Sequence, residues 1–128
     1  MSNLKEDDKA MREVLINAKV IAVVGHSDQP DRTSYRIAQF LREVGYKVYP
    51  VNPVVSEIDG QPCYSSLKDV PEPVDIVNVF RRSEYLSAIV DEAIAVNAKT
   101  VWAQLGVSDE LSAQKALDAE SNLALFYD

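Results

Sequence analysis

The sequence contains few of the residues on which many catalytic and metal sites depend. It has one cysteine, Cys63, and one histidine, His26, among 128 residues. A lone cysteine cannot form an internal disulfide, which favours a reducing compartment, and we expect a cytoplasmic protein. A Cys63–His26 nucleophile–base pair is conceivable, but nothing in their spacing supports it. We therefore expect neither a catalytic residue nor a metal ligand.

Long apolar runs are also missing. No stretch approaches the roughly 18 apolar residues of a membrane span, and the polar segment 1–9 lacks the apolar core of a signal peptide. A formal net charge of −7 disfavours non-specific binding to nucleic acid or to an anionic membrane. A hydrophobic content of 47% in a chain of this length is typical of one globular domain, which we expect to span residues 1–128.

Strand and helix patterns alternate along the whole chain. Apolar, largely β-branched runs predict strands at 20–24, 46–51, 74–80, 100–105 and 123–127. Apolar positions at helical spacing predict helices before the first strand, after a hydroxyl cap at Thr33 or Ser34, after a cap at Ser83, and after Ser108. The turn signal Asp59-Gly60 predicts a small irregular excursion over 54–64. Such alternation predicts an α/β, Rossmann-like three-layer fold with a mainly parallel sheet of five to six strands.

Several polar groups fall where the predicted strands end, which is where open parallel sheets bind their ligands. The first strand is followed by Gly25 and Ser27, and a loop with Arg32 then leads to a helix opening at Ser34. Backbone N–H groups at such a helix start, together with hydroxyls and a guanidinium, favour a phosphate. The other strand ends supply Asn52-Pro53, Arg81-Arg82 and Gln104-Leu105-Gly106.

Each of these features has a simpler explanation when taken alone. Gly25 can be an ordinary turn residue, the arginine pair a solvated surface, and Asn52-Pro53 the end of a strand. Adjacent arginines in a regular strand also face opposite ways, so at least one of Arg81 and Arg82 is expected to point elsewhere. Their common position at one edge of one sheet is what predicts a site for an anionic ligand.

The common nucleotide fingerprints are absent. The first turn has one glycine where G-x-G-x-x-G has three, and the second strand ends in Asn52-Pro53, without the carboxylate that contacts the ribose of NAD. Nothing matches the phosphate loop G-x-x-x-x-G-K-[ST] of ATP- and GTP-binding proteins. The sequence therefore disfavours NAD, ATP and GTP.

Five segments together resemble a known family. They are IAVVGHSD with PDRTSY (residues 21–28 and 30–35), YPVNP (49–53), VDIVNVFRR (74–82) and VWAQLG (101–106). In order and spacing they are similar to the small CoA-binding-domain proteins of bacteria and archaea. The same domain type occurs in the α subunit of succinyl-CoA synthetase and, adapted to NADH, in redox-sensing repressors. The resemblance implies coenzyme A as the ligand.

The resemblance also implies a set of contacts. The loop after the first strand and the helix start would hold the phosphates, the segment after the second strand would border the adenosine, the Phe-Arg-Arg segment would lie along the nucleotide, and the Gln-Leu-Gly turn would lie toward the pantetheine. The residues that match are Gly25, Ser27, Asp28, Arg32, Ser34, Val51, Asn52, Pro53, Phe80, Arg81, Arg82, Gln104 and Gly106.

The sequence departs from the family pattern at a few positions. His26 stands where a small or aliphatic residue is usual, Asn78 where Asp is common, and Asn97 where glycine is common. Family members usually continue with an Asp-Arg-Cys segment, whereas this sequence stops at Asp128. An uncovered last strand would favour a homodimer.

Three functions follow as hypotheses. The first is a CoA or acyl-CoA binding protein that acts as a sensor, carrier or accessory protein without catalysis. The second is an enzyme that uses bound CoA or another nucleotide on a further substrate. The third is an interaction module whose ligand site is vestigial.

Overall fold

A parallel sheet flanked by helices forms the described part of the chain, residues 4–103 and 124–127 of the computed structural model. Its elements in chain order are α1 (Leu4–Asn17), β1 (Val20–Val24), α2 (Thr33–Glu43), β2 (Lys47–Val51), β3 (Glu57–Ile58), β4 (Gln61–Pro62), a 3₁₀ turn (Leu67–Asp69), β5 (Ile76–Val79), α3 (Ser83–Ala95), β6 (Thr100–Ala103) and β7 (Ala124–Tyr127). Among these helices, none is both long and apolar enough to cross a membrane.

The five-stranded sheet has the order β2-β1-β5-β6-β7, and all its neighbouring strands are parallel. The prediction of an α/β Rossmann-like fold is confirmed. From β1 the chain passes to β2 on one side and later returns to β5 on the other side. The carboxyl ends of β1 and β5 therefore flank the topological switch point, where folds of this order bind their ligands.

Helices cover both faces of the sheet, and β1 is buried on both of them. Ile21 and Val23 face α2 and pack with Ala38 and Leu41 in one core cluster. Ala22 and Val24 face the other way, toward α3, in a cluster that includes Leu86 and Val90 of α3. This double burial explains the unbroken apolar run of β1, in contrast with the alternating pattern of a strand exposed on one face.

Strands β2 and β7 are the edges of the described sheet. The outer edge of β2 is partly covered, since the Tyr64 N–H donates to the Pro50 carbonyl and the Asn52 N–H donates to the Tyr64 carbonyl. Such cover lowers the tendency of an edge to pair with other chains. Strand β7 stands at the opposite edge, and the homodimer expected from it stays a prediction.

The excursion expected at 54–64 contains a regular element. Strands β3 and β4 form an antiparallel hairpin, with Asp59 and Gly60 as its two-residue turn. Both turn residues have positive φ, 50° and 82°, as a type I′ turn requires. The sequence signal located the turn correctly but did not reveal the two short strands beside it.

Two predicted helix caps are wrong. The N-cap of α2 is Arg32, not Thr33 or Ser34, and the N-cap of α3 is Arg82, not Ser83; neither arginine caps its helix through its side chain. Ser34 lies inside the first turn of α2, and its hydroxyl accepts the Ser27 N–H of the preceding loop. The helix ends follow expectation better, since Gly45 has a φ of +106° just beyond α2.

Asp75 links the starts of β1 and β5. Its carboxylate accepts the N–H groups of Lys19 and Val20 at 2.8 and 3.0 Å, and Lys99 lies 3.4 Å away. Partial burial alone would raise the pKa of this carboxyl, but the two backbone N–H groups and Lys99 outweigh it and hold the pKa below its usual 3.8.

We expect Asp75→Asn to lower the free energy of unfolding by about 1–2 kcal/mol at pH 7, because hydrogen bonds to a charged acceptor are lost. The stabilisation by Asp75 is present above pH 3.8 and is lost as the pH falls through the lower pKa of the folded state. Urea unfolding of the wild type and of Asp75→Asn at pH 7 and near pH 3 measures this difference in the free energy of unfolding. An equal difference at both pH values would contradict it.

Candidate functional site

Gly25 lies where the loops after β1 and β5 come closest together. Its φ is +87°, and a Cβ at this position would stand 3.1 Å from the carbonyl carbon and oxygen of Phe80 and from the Arg81 Cδ. Its N–H donates to the Val51 carbonyl at 2.8 Å, so it also touches the end of β2. Only glycine combines this backbone angle with this approach, which places the loop directly at the switch point.

Two serine hydroxyls shape the loop that follows. The Ser27 N–H donates to the Ser34 Oγ at 2.9 Å, and the Gln29 N–H donates to the Ser27 Oγ at 3.0 Å. Ser34 is buried, so the first bond ties the loop to the start of α2. Both hydroxyls accept backbone hydrogen bonds and keep a proton that can be donated to a ligand.

The start of α2 offers backbone donors to an anion. The first helical bond runs from the Arg36 N–H to the Arg32 carbonyl. The N–H groups of the first turn therefore have no carbonyl acceptor within the helix, and the turn holds no acidic residue. Arg32 is exposed at this point, as are the carboxylates of Asp28 and Asp31, whose charges act against an anion there.

Asn52 connects the loops after β1 and β2. Its side-chain N–H donates to the His26 carbonyl at 3.1 Å, and its side-chain oxygen accepts the Val54 N–H at 3.0 Å. The carboxamide thus has structural partners at both ends. Asn52 supports the shape of this edge of the sheet, and the next residue, Pro53, is exposed beside it.

The two adjacent arginines after β5 have different surroundings. Arg81 is half-buried, and its guanidinium lies 4.3 Å from the ring centre of Tyr85. Arg82 is exposed and lies 3.8 Å from a Glu84 carboxylate oxygen. The expectation that the two side chains point in different directions is met, and Arg81 is the one that lies across the switch point beside Gly25.

A groove of about 160 Å³ opens next to Arg81. It runs between the ends of β1 and β2 and the first turns of α3, and its polar lining includes Ser65, Ser66, Arg81 and Tyr85. The two serines and Tyr85 were not predicted as site residues from the sequence. Tyr85 carried a usable signal, because an aromatic residue four positions after Arg81 can meet its guanidinium.

A comparison with known protein families fits this geometry. The family model described as CoA binding domain matches residues 19–125. The chain belongs to the CoA-binding-domain family. Its sequence is 46% identical to the uncharacterized protein YneT of Bacillus subtilis strain 168 over 100 residues, which are 78% of this chain and 74% of that protein.

Larger enzymes contain a similar domain. The chain is 38% identical to the ADP-forming acetate–CoA ligase I of Archaeoglobus fulgidus over 80 residues, 62% of this chain but 12% of the ligase. Among solved structures, a hypothetical protein from Pyrococcus horikoshii OT3 superposes with a TM-score of 0.88 at 36% identity, covering 94% of this chain and 84% of that one.

Some residues predicted to contact CoA are placed differently in this CoA-binding domain. The Val51 side chain is buried in the core on the α3 face, and Phe80 packs against the core on the α2 face. Their backbones border the loop after β1, whereas their side chains support the sheet. Gln104 and Gly106 lie outside the described residues, and so does the helix predicted after Ser108.

The only histidine and cysteine have partners within the fold. The His26 ring is fully buried and hydrogen bonded through both nitrogens. The Cys63 thiol lies 3.8 Å from the Asn52 carbonyl, and burial raises its pKa, with a weaker opposite effect of the Asn52 backbone. A protonated thiol is a poor nucleophile, so these surroundings do not favour a Cys63–His26 catalytic pair.

Proposed function

We propose that this chain binds coenzyme A or an acyl-CoA across the carboxyl ends of β1, β2 and β5, and acts as a sensor, carrier or accessory protein without catalysis of its own. The observation that carries the proposal is the close approach at Gly25. It brings the loop after β1 against Phe80 and Arg81, and the Ser27–Ser34 hydrogen bond ties the same loop to the start of α2.

The charge distribution at this point suits a phosphate. The start of α2 has N–H groups without intrahelical acceptors and carries about half a positive charge from the helix dipole. Arg81 adds a half-buried guanidinium from the loop after β5, on the other side of the crevice between that loop and the start of α2. A pyrophosphate between them would receive backbone donors on one side and a forked cationic donor on the other.

The size of the groove indicates how such a ligand would lie. Pockets that enclose a drug-sized molecule are typically about 300–1,000 Å³. The groove beside Arg81 has about 160 Å³, enough for only part of CoA. The proposed ligand is therefore extended along the sheet edge, with one part in the groove and its phosphates at the loop after β1.

The residues at the end of β2 favour CoA over NAD. A dinucleotide site places a carboxylate there for the ribose hydroxyls. Here Asn52 occupies the position, and its carboxamide is bonded to the His26 carbonyl and the Val54 N–H.

The hydrogen bonds of His26 and Cys63 inside the fold support binding without catalysis.

A thermal-unfolding screen with CoA, acetyl-CoA, NAD and ATP tests the proposal. At about one hundred times its Kd, a ligand that binds only the folded state adds about 2.7 kcal/mol of stability. We expect CoA and acetyl-CoA to raise Tm and NAD and ATP to leave it unchanged. Equal stabilisation by NAD, or none by CoA, would contradict CoA binding. Turnover of acetyl-CoA to free thiol would contradict the absence of catalysis.

A further inference from the structure

His26 follows Gly25 directly, and its burial is unusual for a loop next to a ligand site. The side chain is fully buried, whereas its neighbour Ser27 is half-buried and Asp28 is exposed. The His26 carbonyl accepts the Asn52 side-chain N–H, and the ring meets Tyr35 of α2 edge-on at 5.9 Å between centres. The imidazole is thus enclosed behind the loop and is not open to a ligand.

The two ring nitrogens of His26 have partners that require the same tautomer. Nδ1 lies 2.8 Å from the Ser27 carbonyl oxygen, which can only accept, so Nδ1 carries the proton. Nε2 lies 3.3 Å from a terminal nitrogen of Arg42, which can only donate, so Nε2 is the acceptor. Both contacts are satisfied by the neutral imidazole with its proton on Nδ1.

The bond to the Ser27 carbonyl fixes the orientation of the next peptide group. In a trans peptide the carbonyl and the following N–H point in opposite directions. When the Ser27 carbonyl is turned to the buried ring, the Asp28 N–H points away from it. The Ser27 N–H is already held by the Ser34 Oγ, so both peptide groups around Ser27 are oriented.

We propose that His26 is a positioning residue of the loop after β1: its neutral imidazole holds the Ser27 carbonyl inward and so presents the Asp28 N–H outward as a donor to the ligand phosphate. The consequence for CoA binding rests on the function proposed above. The state of the ring and of the loop can be measured without any ligand.

Protonation removes the contact with Arg42 and keeps the Nδ1–H bond to the Ser27 carbonyl. A proton on Nε2 would face the Arg42 guanidinium, so the acceptor is lost and two cations are brought together. Burial holds the pKa of His26 below 6.5; the Ser27 carbonyl opposes this shift, Arg42 adds to it, and the Asp59 carboxylate opposes it. The contact between Nε2 and Arg42 is therefore present above pH 6.5 and is lost as the pH falls through the lower pKa of the folded state, whereas the bond to Ser27 remains.

Three variants distinguish the roles of the two ring nitrogens of His26. In His26→Asn the side-chain N–H can replace Nδ1–H toward Ser27, in His26→Gln the longer carboxamide can reach the Arg42 side, and His26→Leu removes both bonds. We expect the backbone N–H resonances of Ser27 and Asp28 to keep their wild-type positions in His26→Asn and to move in His26→Gln and His26→Leu. Should His26→Leu fail to fold, the other two variants still decide between the nitrogens.

Nitrogen-detected NMR of the ring gives the ligand-free test, and the assignment is unambiguous because the chain has one histidine. The expected result, on protein free of tag histidines, is the Nδ1–H tautomer with a pKa below 6.5. The Nε2–H tautomer, or a rescue of the loop by His26→Gln as good as that by His26→Asn, would overturn the proposal.

Calorimetric titration with CoA gives the functional arm. At pH 8 we expect affinity within about threefold of wild type for His26→Asn and a loss of about 3- to 10-fold or more for His26→Leu. The phosphate monoester of CoA itself titrates near pH 6, so the ratio of wild-type to His26→Asn affinity isolates the histidine.

That ratio should stay within about threefold as the pH falls through the pKa of His26, because the imidazolium keeps Nδ1–H toward the Ser27 carbonyl, and a fall of about tenfold per pH unit would overturn the proposal. Absence of CoA binding by the wild-type protein at pH 8 would contradict the proposed function instead. The NMR result would then decide the role of His26 alone.

Discussion

Gly25→Ala is expected to lower the free energy of unfolding by about 2–4 kcal/mol and to weaken CoA binding at least about tenfold. The methyl group would adopt a backbone angle that L-residues disfavour, and it would also meet the Phe80 carbonyl 3.1 Å away. The Phe80 backbone belongs to the sheet end, since its N–H donates to the Val24 carbonyl, so the loop after β1 must move instead.

Gly60→Ala is the matched control for this prediction. Gly60 also has a positive φ, +82°, but a Cβ there would meet nothing within 4 Å among the residues that the structure describes. Both variants lose the same conformational freedom in the unfolded chain, so their difference in urea-unfolding free energy measures the steric contact at Gly25. We expect Gly60→Ala to cost about 1–2 kcal/mol and to leave CoA affinity unchanged. Equal losses in the two variants would contradict the close approach at the switch point.

Arg81→Ala is expected to weaken CoA binding by about 10- to 100-fold, because a charge-assisted contact at a half-buried site is worth about 1.5–3 kcal/mol. Folding should be little affected, since the contact with Tyr85 contributes only about 0.5–1 kcal/mol. Calorimetric titration at constant salt measures the affinity of each variant.

The neighbouring arginine provides the control. Arg82 carries the same charge but is exposed and lies 3.8 Å from a Glu84 carboxylate oxygen. Exposed ion pairs of this kind contribute about 0–1 kcal/mol, so Arg82→Ala should change the affinity by no more than a few-fold. If Arg82→Ala weakens binding as much as Arg81→Ala, then general electrostatic attraction explains the binding, and the position of Arg81 across the crevice does not.

The sheet could be predicted from the sequence because each buried strand has a recognisable apolar pattern. The run Val20–Val24 is apolar on both faces, and the helix stripe ending at Gly45 fits α2. Strand ends and turn residues then indicated a candidate ligand edge, which stays a prediction. Asn97 stands where glycine is common in the family. Its φ of +57° shows that it keeps the backbone conformation that glycine favours, so this departure from the family pattern does not change the fold.

Roles within the site were harder to predict, because they depend on contacts between distant segments. Ser34 looked like a helix cap, but its hydroxyl is bonded to the Ser27 N–H, seven residues earlier. Asn52 looked like a ligand contact, yet its carboxamide bonds the His26 carbonyl across 26 residues. Spacing within one element carries no information on such pairs. For the same reason, the position of Ser65 and Ser66 in the groove could not be predicted.

CoA is expected to bind at the loop after β1, and an NMR titration of backbone N–H resonances with CoA is the sharpest test of this binding site. Saturable shifts are predicted for Gly25, Ser27 and Arg81, with smaller changes at the amino-terminal ends of the strands, including Asp75. Addition of NAD should leave the same resonances in place. No shift at about 1 mM CoA, or saturable shifts confined to a surface away from Gly25, would contradict CoA binding at this loop.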